Sequence, residues 1–268
     1  MSPAAAPASP SIELLDEIWR SILELCADLT EQEWKAPTGC PGWTVQDNVS
    51  HLVDYEAAAL GRPRPAVELP AGLDHLKNPL GESNEVGVEA RRSLPGAQVL
   101  EELREVAEAR AAQLRQLTEE DLAQEIATPA GPGTMADMLT LRVMDSWSHE
   151  QDIRRALSRP GHATGPVADA AVAYWSRFLP YIVGKRAGAP DGSAVAVEVD
   201  DRRLLVAVEG GRAHPVDALD GEPTVTLAMP ATTFAALVGG RTDAPDDVAI
   251  TGDEDLARRI IDNLGFLP

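Results

Sequence analysis

Between Met135 and Leu157 the chain keeps a helical period. Met135, Met138, Leu139, Val143, Ile153 and Leu157 fall on one face at about 100° per residue. An apolar stripe that long is satisfied only by other helices packed against it, which directs this part of the chain toward a bundle. Partners are visible upstream. Ile12, Leu15, Ile18, Trp19, Ile22, Leu25, Cys26 and Leu29 recur at helical spacing. After the turn Pro37–Gly42, Thr44 caps a second helix with Asp47 at the third position of a box-like start, and its stripe is Val45, Val49, Leu52 and Val53. A third helix is expected over about 97–117 and the fourth over about 133–157. The proline- and glycine-rich stretch 61–82 reads as one long loop, and Thr128–Gly133 as a shorter one.

After Gly161 the pattern changes. One more helix is expected over 166–185. Then 194–199 and 203–208 alternate as strands around the tight Asp200-Asp201, and 224–227 reads as another strand. Residues 230–238 and 253–264 return to helix, the first with proline at its permitted start. The expected fold class is α+β: a four-helix bundle over 11–162 and a small α+β domain over 163–268, after a disordered tail over 1–10.

Composition narrows the function. The chain has 268 residues, 44% of them apolar, and no apolar run near the length that spans a bilayer. Its start, MSPAAAPASP, lacks the basic and apolar regions of a secretory signal, so a cytoplasmic location is expected. A net charge of −20 argues against nucleic acid and against anionic membranes, which both need a positive field. An anionic small substrate would need a metal or a local arginine to hold it. Cys26 and Cys40 are too few for a disulfide scaffold, and Cys40 has neither a nearby base nor a helix N-terminus to activate it.

The chemistry gathers in Asp145-Ser-Trp-Ser-His149-Glu-Gln-Asp152. Asp145 and His149 stand one turn apart at the edge of the apolar stripe, where they can share a divalent metal or form a packed carboxylate–imidazole pair. His51 points well away from its own helix's stripe. It is either a solvated histidine or one that faces a cleft opposite the fourth helix. In the second case the set becomes His-Asp-His, which suits zinc or another first-row ion and leaves a coordination position open. Asp152 is a candidate general base or acceptor for a ring N–H, or a surface partner of Arg154 or Arg155. His75, His162 and His214 read as surface residues. Trp43 and Trp147 read as bundle packing, and no phosphate loop, dinucleotide fingerprint or serine elbow is present.

Cys40-Pro-Gly-Trp-Thr-Val-Gln-Asp47 followed by Ser50-His51-Leu52 resembles the second-helix signature of the mycothiol-dependent maleylpyruvate isomerase family. Asn84–Arg92, Thr128–Gly133, Arg142–Asp145 with His149–Arg154, Gly240-Arg241-Thr242 and Gly252–Leu264 are similar to it as well. The resemblance implies a DinB-like metal-binding bundle and a C-terminal domain of the sterol-carrier type. It maps the metal ligands onto His51, Asp145 and His149, with Asp145 where the family pattern has the longer Glu. It further implies mycothiol as cosubstrate, a metal-stabilised thiolate, and cis–trans isomerisation or thiol transfer on a small electrophile. Arg241 is then a candidate for holding an acidic substrate, against a loop salt bridge with Asp243. The alternatives are a metal-assisted hydrolase and a non-catalytic binding or regulatory module.

Overall fold

The computed structural model describes residues 9–242 and 247–265. The expected tail therefore lies almost wholly outside the described residues, as does Asp243. The chain forms two compact units, with the division at Ala171/Val172.

Unit 1 contains α1 (Pro10–Cys26), α2 (Glu31–Trp34), α3 (Val45–Ala59), α4 (Pro79–Glu89), α5 (Gly96–Leu114) and α6 (Glu119–Ala123). A hairpin of β1 (Glu125–Thr128) and β2 (Gly131–Thr134) leads into α7 (Met135–Ala156). The long helices pack as a closed ring, α1 against α7, α7 against α3, α3 against α5 and α5 against α1. The apolar stripes of α1 and α3 are buried as their spacing requires. Helix starts follow local chemistry. Thr44 accepts from the Asp47 N–H at 3.3 Å while Asp47 accepts from the Thr44 N–H at 2.8 Å, and Thr134 with Asp137 repeats this box at α7. Gly96 opens α5 against the buried Trp34 indole, where a Cβ would stand 2.1 Å from the ring, so only glycine fits.

Two loop expectations in unit 1 need correction. Residues 61–82 are not all loop, because Asn78 caps Gly81 N–H at 2.9 Å and Pro79 opens α4. Thr128–Gly133 is not a plain loop but forms the turn and strand of the hairpin. Burial of α7 is not confined to its apolar stripe: Arg142, Ser146, His149, Glu150, Gln151 and Asp152 are all buried, so this helix carries a polar line through the interior.

The division between the units falls within α8 (Pro166–Ser176), which is followed by α9 (Leu179–Tyr181) and a π-helical turn, Ile182–Arg186. The helix expected over 166–185 is thus broken. Unit 2 continues with β3 (Ala194–Val199), β4 (Arg202–Glu209), β5 (Arg212–Pro215), β6 (Val225–Met229), α10 (Ala231–Val238), β7 (Ala249–Gly252) and α11 (Glu254–Asp262). Among the described residues the sheet order is β5-β4-β3-β6-β7, with β3 and β6 parallel and the other pairs antiparallel. Val195, Val197, Val225 and Leu227 of the central strands are buried, with Phe234, Leu256 and Ile260 supplied by α10 and α11. Asp200 turns the β3–β4 hairpin at φ +52°, a conformation aspartate tolerates better than most side chains.

Two buried polar clusters tie unit 1 together. In the first, Glu56 of α3 accepts from Arg142 Nε at 2.9 Å and from Arg110 Nε at 3.2 Å, so one carboxylate joins α3, α7 and α5. Replacing Glu56 by alanine leaves two buried guanidiniums short of a counter-charge. Urea denaturation followed by tryptophan fluorescence is expected to show a loss of about 3–5 kcal/mol.

In the second cluster Glu150 of α7 is fully buried and accepts from Ser21 of α1 at 2.6 Å and from Arg154 Nε at 2.9 Å. His162 Nδ1 donates to the same carboxylate at 2.7 Å. His162 is therefore not the surface residue its context suggested. The bond to Glu150 raises its pKa, burial opposes this, and Glu17 adds to the rise. A raised histidine stabilises fully below its unfolded pKa and loses that contribution as pH climbs through the folded value. The stability advantage of wild type over His162→Gln is accordingly expected to shrink as pH rises above about 6.5, the ordinary histidine value. An advantage that grows across that range would contradict the assignment.

Candidate metal centre

Paired residues show that α3 and α7 run antiparallel: partners fall along α7 as numbers rise along α3, from Asn48 with His149 to His51 with Asp145 and Tyr55 with Met138. His51 Nε2 stands 3.3 Å from Asp145 Oδ2, and His149 Nε2 stands 3.7 Å from Asp145 Oδ1. The two imidazoles meet edge to face, with centroids 4.9 Å apart. Among the described residues, His51, Asp145 and His149 each offer one ligand atom, all within 4.8 Å of one another. Two imidazole nitrogens and one carboxylate oxygen converging in this way fit a zinc-like or other first-row divalent ion.

The solvated alternative for His51 is overturned, because the residue is only 5% exposed. It points away from its own helix's stripe because it points at α7. Burial lowers its pKa, with Asp145 offsetting part of the effect, so the ring is neutral near pH 7 and keeps a lone pair for a cation. Burial alone would raise Asp145. The adjacent Arg142, followed by His149 and His51, more than reverses this and holds the carboxyl well below its usual range. Arg142 Nη1 donates to Asp145 Oδ2 in a short contact. Burial would weaken the charge on Arg142, but Asp145 and Glu56 together raise its pKa further. The Asp145 side chain is 25% exposed while both histidine side chains are 6% exposed, so the group opens on the carboxylate side.

The Mycothiol maleylpyruvate isomerase N-terminal domain pattern matches residues 15–154, and the MDMPI C-terminal domain pattern matches residues 169–259. The chain belongs to the mycothiol maleylpyruvate isomerase family. Two crystal structures share its fold: mycothiol-dependent maleylpyruvate isomerase, at TM-score 0.54 and 16% identity, and a histidine-to-alanine mutant of it, at 0.56 and 15%. Each comparison covers 92% of this chain and 93% of the other. An uncharacterized protein of Mycobacterium tuberculosis, in strains CDC 1551 / Oshkosh and ATCC 25618 / H37Rv, is 32% identical over 142 residues. That match spans 50% of this chain and 51% of the relative, so the chain spans about half the length of the curated relatives it matches.

For this member of the family, the residues that support the triad were mostly unforeseen. His149 Nδ1 donates to Asn48 Oδ1 at 2.7 Å. Asn48 is itself fixed, since its amide donates to Thr38 Oγ1 at 3.0 Å and to Thr44 O at 2.8 Å. This places a proton on Nδ1 and leaves Nε2 facing Asp145. Asn48 lies one helical turn before His51 on the same face, and that spacing was the available signal. Asp152, the acceptor suggested by sequence, is buried, with Oδ2 3.7 Å from His149 Nδ1 and Oδ1 3.7 Å from Arg155 Nη1, both at ion-pair range.

Trp43 is more than packing. Its ring stacks on His149 at 5.6 Å and tilts over His51 at 5.2 Å, walling one side of the triad. Its Nε1 donates to the fully buried Glu85 at 2.9 Å, and that carboxylate also binds Arg92 at 2.6 Å and His75 at 3.1 Å. His75 is therefore a clamp rather than a surface histidine. Trp147 does pack the bundle, and its Nε1 donates to His162 O at 2.8 Å. His214 lies 3.6 Å from Glu209 in unit 2. Cys26 is buried, which pushes its thiol up to about 12 and leaves it inert at neutral pH. Arg241 follows α10 in unit 2, and its Nη1 donates to Gly239 O.

Asn48→Ala removes the group that orients His149 without touching the three ligand-type residues. Divalent-metal affinity by calorimetric titration is expected to fall about 10–100-fold while the fold is retained. Unchanged affinity would remove Asn48 from the site.

Proposed function

We propose that this protein is a mycothiol-dependent metalloenzyme that isomerises, or transfers thiol to, a small electrophilic substrate with a conjugated double bond. The observation that carries this reading is the convergence of His51, Asp145 and His149 in a buried group with one partly exposed side. Family membership supports it through both domains. His51 and His149 would hold a divalent ion, zinc for preference, through Nε2, and Asp145 would hold it through its carboxylate. Such an ion supplies Lewis acidity that favours the anionic, nucleophilic form of a thiol.

The protein's own residues do the rest. Asn48 keeps the His149 proton on Nδ1, and Arg142 keeps the Asp145 carboxylate ionised and turned toward the histidines. Trp43 covers the imidazoles on one side and keeps water from them. In the isomerisation, sulfur adds to one end of the double bond, the resulting single bond rotates, and expulsion of the thiolate restores the alkene, so the thiol is regenerated. If the adduct is protonated instead of collapsing, the same addition ends as thiol transfer. Asp152 is retained as a candidate proton acceptor beside His149. Arg241 enters through the family resemblance alone, as a cation for an acidic substrate. Among the described residues no helix is long and apolar enough to cross a membrane, and the reading includes a cytoplasmic site of action.

The test is metal content of purified wild type and His149→Ala by mass spectrometry, with mycothiol titrated into both and maleylpyruvate offered as substrate. Near-stoichiometric metal in wild type, at least about tenfold weaker binding in the variant, and saturable thiol binding to the metal-loaded form are expected. Wild type that cannot be loaded with metal, or equal metal in both proteins, would overturn the proposal. Metal without thiol binding would favour a hydrolytic role, where the ion activates water.

A further inference from the structure

The open side of the triad is bordered by Asp145, and Tyr55 and Met138 follow along the same α3–α7 seam, both half-buried. Tyr55 lies one turn beyond His51 on α3, with its ring edge-on to that imidazole at 6.4 Å. The Arg142 guanidinium lies 3.7 Å from the centroid of the Tyr55 ring, so the phenol is clamped on two sides by groups of the site. Its hydroxyl donates to the Met138 thioether at 3.1 Å.

That partner is unusual for a phenol so placed. A thioether is a weak acceptor, whereas a carboxylate or enolate oxygen is a strong one and makes a charge-assisted bond. The ring is fixed and only the hydroxyl hydrogen needs to turn, so exchanging sulfur for an anionic oxygen costs little ordering. The cation beneath the ring polarises the O–H further. The surrounding charges, Arg110, Arg142, Glu56 and Asp145, cancel in pairs, so no net negative local field opposes an anionic ligand there.

The geometry points to Tyr55 Oη as the donor that receives an anionic oxygen of the substrate at the opening of the triad, with Met138 holding the hydroxyl until the ligand arrives. This rests on the function proposed above and adds to it a substrate-binding residue, the phenol of Tyr55.

The experiment is calorimetric titration of maleate, a cis-dicarboxylate probe, into the metal-loaded full-length protein, into Tyr55→Phe and into Met138→Leu. Tyr55→Phe keeps the ring and its packing, so metal content and thermal midpoint are expected to match wild type. Its affinity for maleate is expected to fall about 10–100-fold. Met138→Leu is expected to bind maleate at least as tightly as wild type, because the hydroxyl no longer has a competing partner. Equal affinity in wild type and Tyr55→Phe, or no maleate binding by any of the three, would overturn the inference. Mycothiol titrated into the same samples separates the two ideas. The Tyr55 pattern without thiol binding sinks the thiol-dependent reading and upholds Tyr55. Thiol binding with equal maleate affinities upholds that reading and sinks Tyr55.

Discussion

A single buried carboxylate, Glu56, sets the arrangement on which the candidate centre depends. It is 1% exposed and neutralised by Arg142 and Arg110 from two other helices. A carboxylate buried without compensation costs several kcal/mol, so the packing of α3, α5 and α7 that brings both guanidiniums to it is strongly selected over slipped alternatives. The register fixed at Glu56 is felt along the seam. Arg142 reaches Asp145 one turn on, and His51 and His149 then face each other across that carboxylate. Apolar packing alone would not choose this alignment, because Leu, Val and Ile stripes tolerate a slide of one turn far better than paired charges do.

A second layer holds the triad's surroundings from the opposite end of α3. The capping box at Thr44 fixes where the helix begins, and Trp43 sits just before it with its indole tied to Glu85 of α4. Asn48 depends on the same turn, since two of its bonds end on Thr38 and Thr44. Gly42 is required here for a specific reason. Its φ is +77°, and a Cβ would stand 2.5 Å from the His75 ring that completes the Glu85 clamp. The short turn before α3 thus sets a wall, a tautomer and a loop anchor together.

Helices α1 and α3 were legible because each buries an apolar stripe at helical spacing, and Thr44 with Asp47 announced a helix start that the structure contains. Strands β3 and β4 were legible from the alternation in their sequences, and β6 buries every second residue in the middle of the sheet. Strands β5 and β7 were not. They are short edge strands, and β7 is exposed at every position, so nothing apolar alternates along it. Helix α4 was hidden by proline and glycine, although Asn78-Pro79 is a start signal. At the centre, Asp145 and His149 stood out by their spacing, while the geometric partnership with His51 followed from no local pattern because it joins residues 94 positions apart. The roles of Arg142 and Asn48 were not legible because a buried polar side chain on a helix looks the same in sequence as an exposed one until its partner helix is placed, and Trp43 read as packing alone.

The short arm at position 145 belongs to the same network. Asp145 Oδ2 already carries the Arg142 bond and faces His51 Nε2 at 3.3 Å, while Oδ1 faces His149 Nε2 at 3.7 Å. The two rings it faces have centroids 4.9 Å apart. Aspartate at this position turns Oδ2 toward Arg142 and His51 and Oδ1 toward His149. In a chain of net charge −20, a divalent ion held by that carboxylate would be a concentrated source of positive potential within the otherwise self-neutralised group. An anionic substrate would then be drawn by the ion and oriented by neutral donors, which is the role for which Tyr55 is placed.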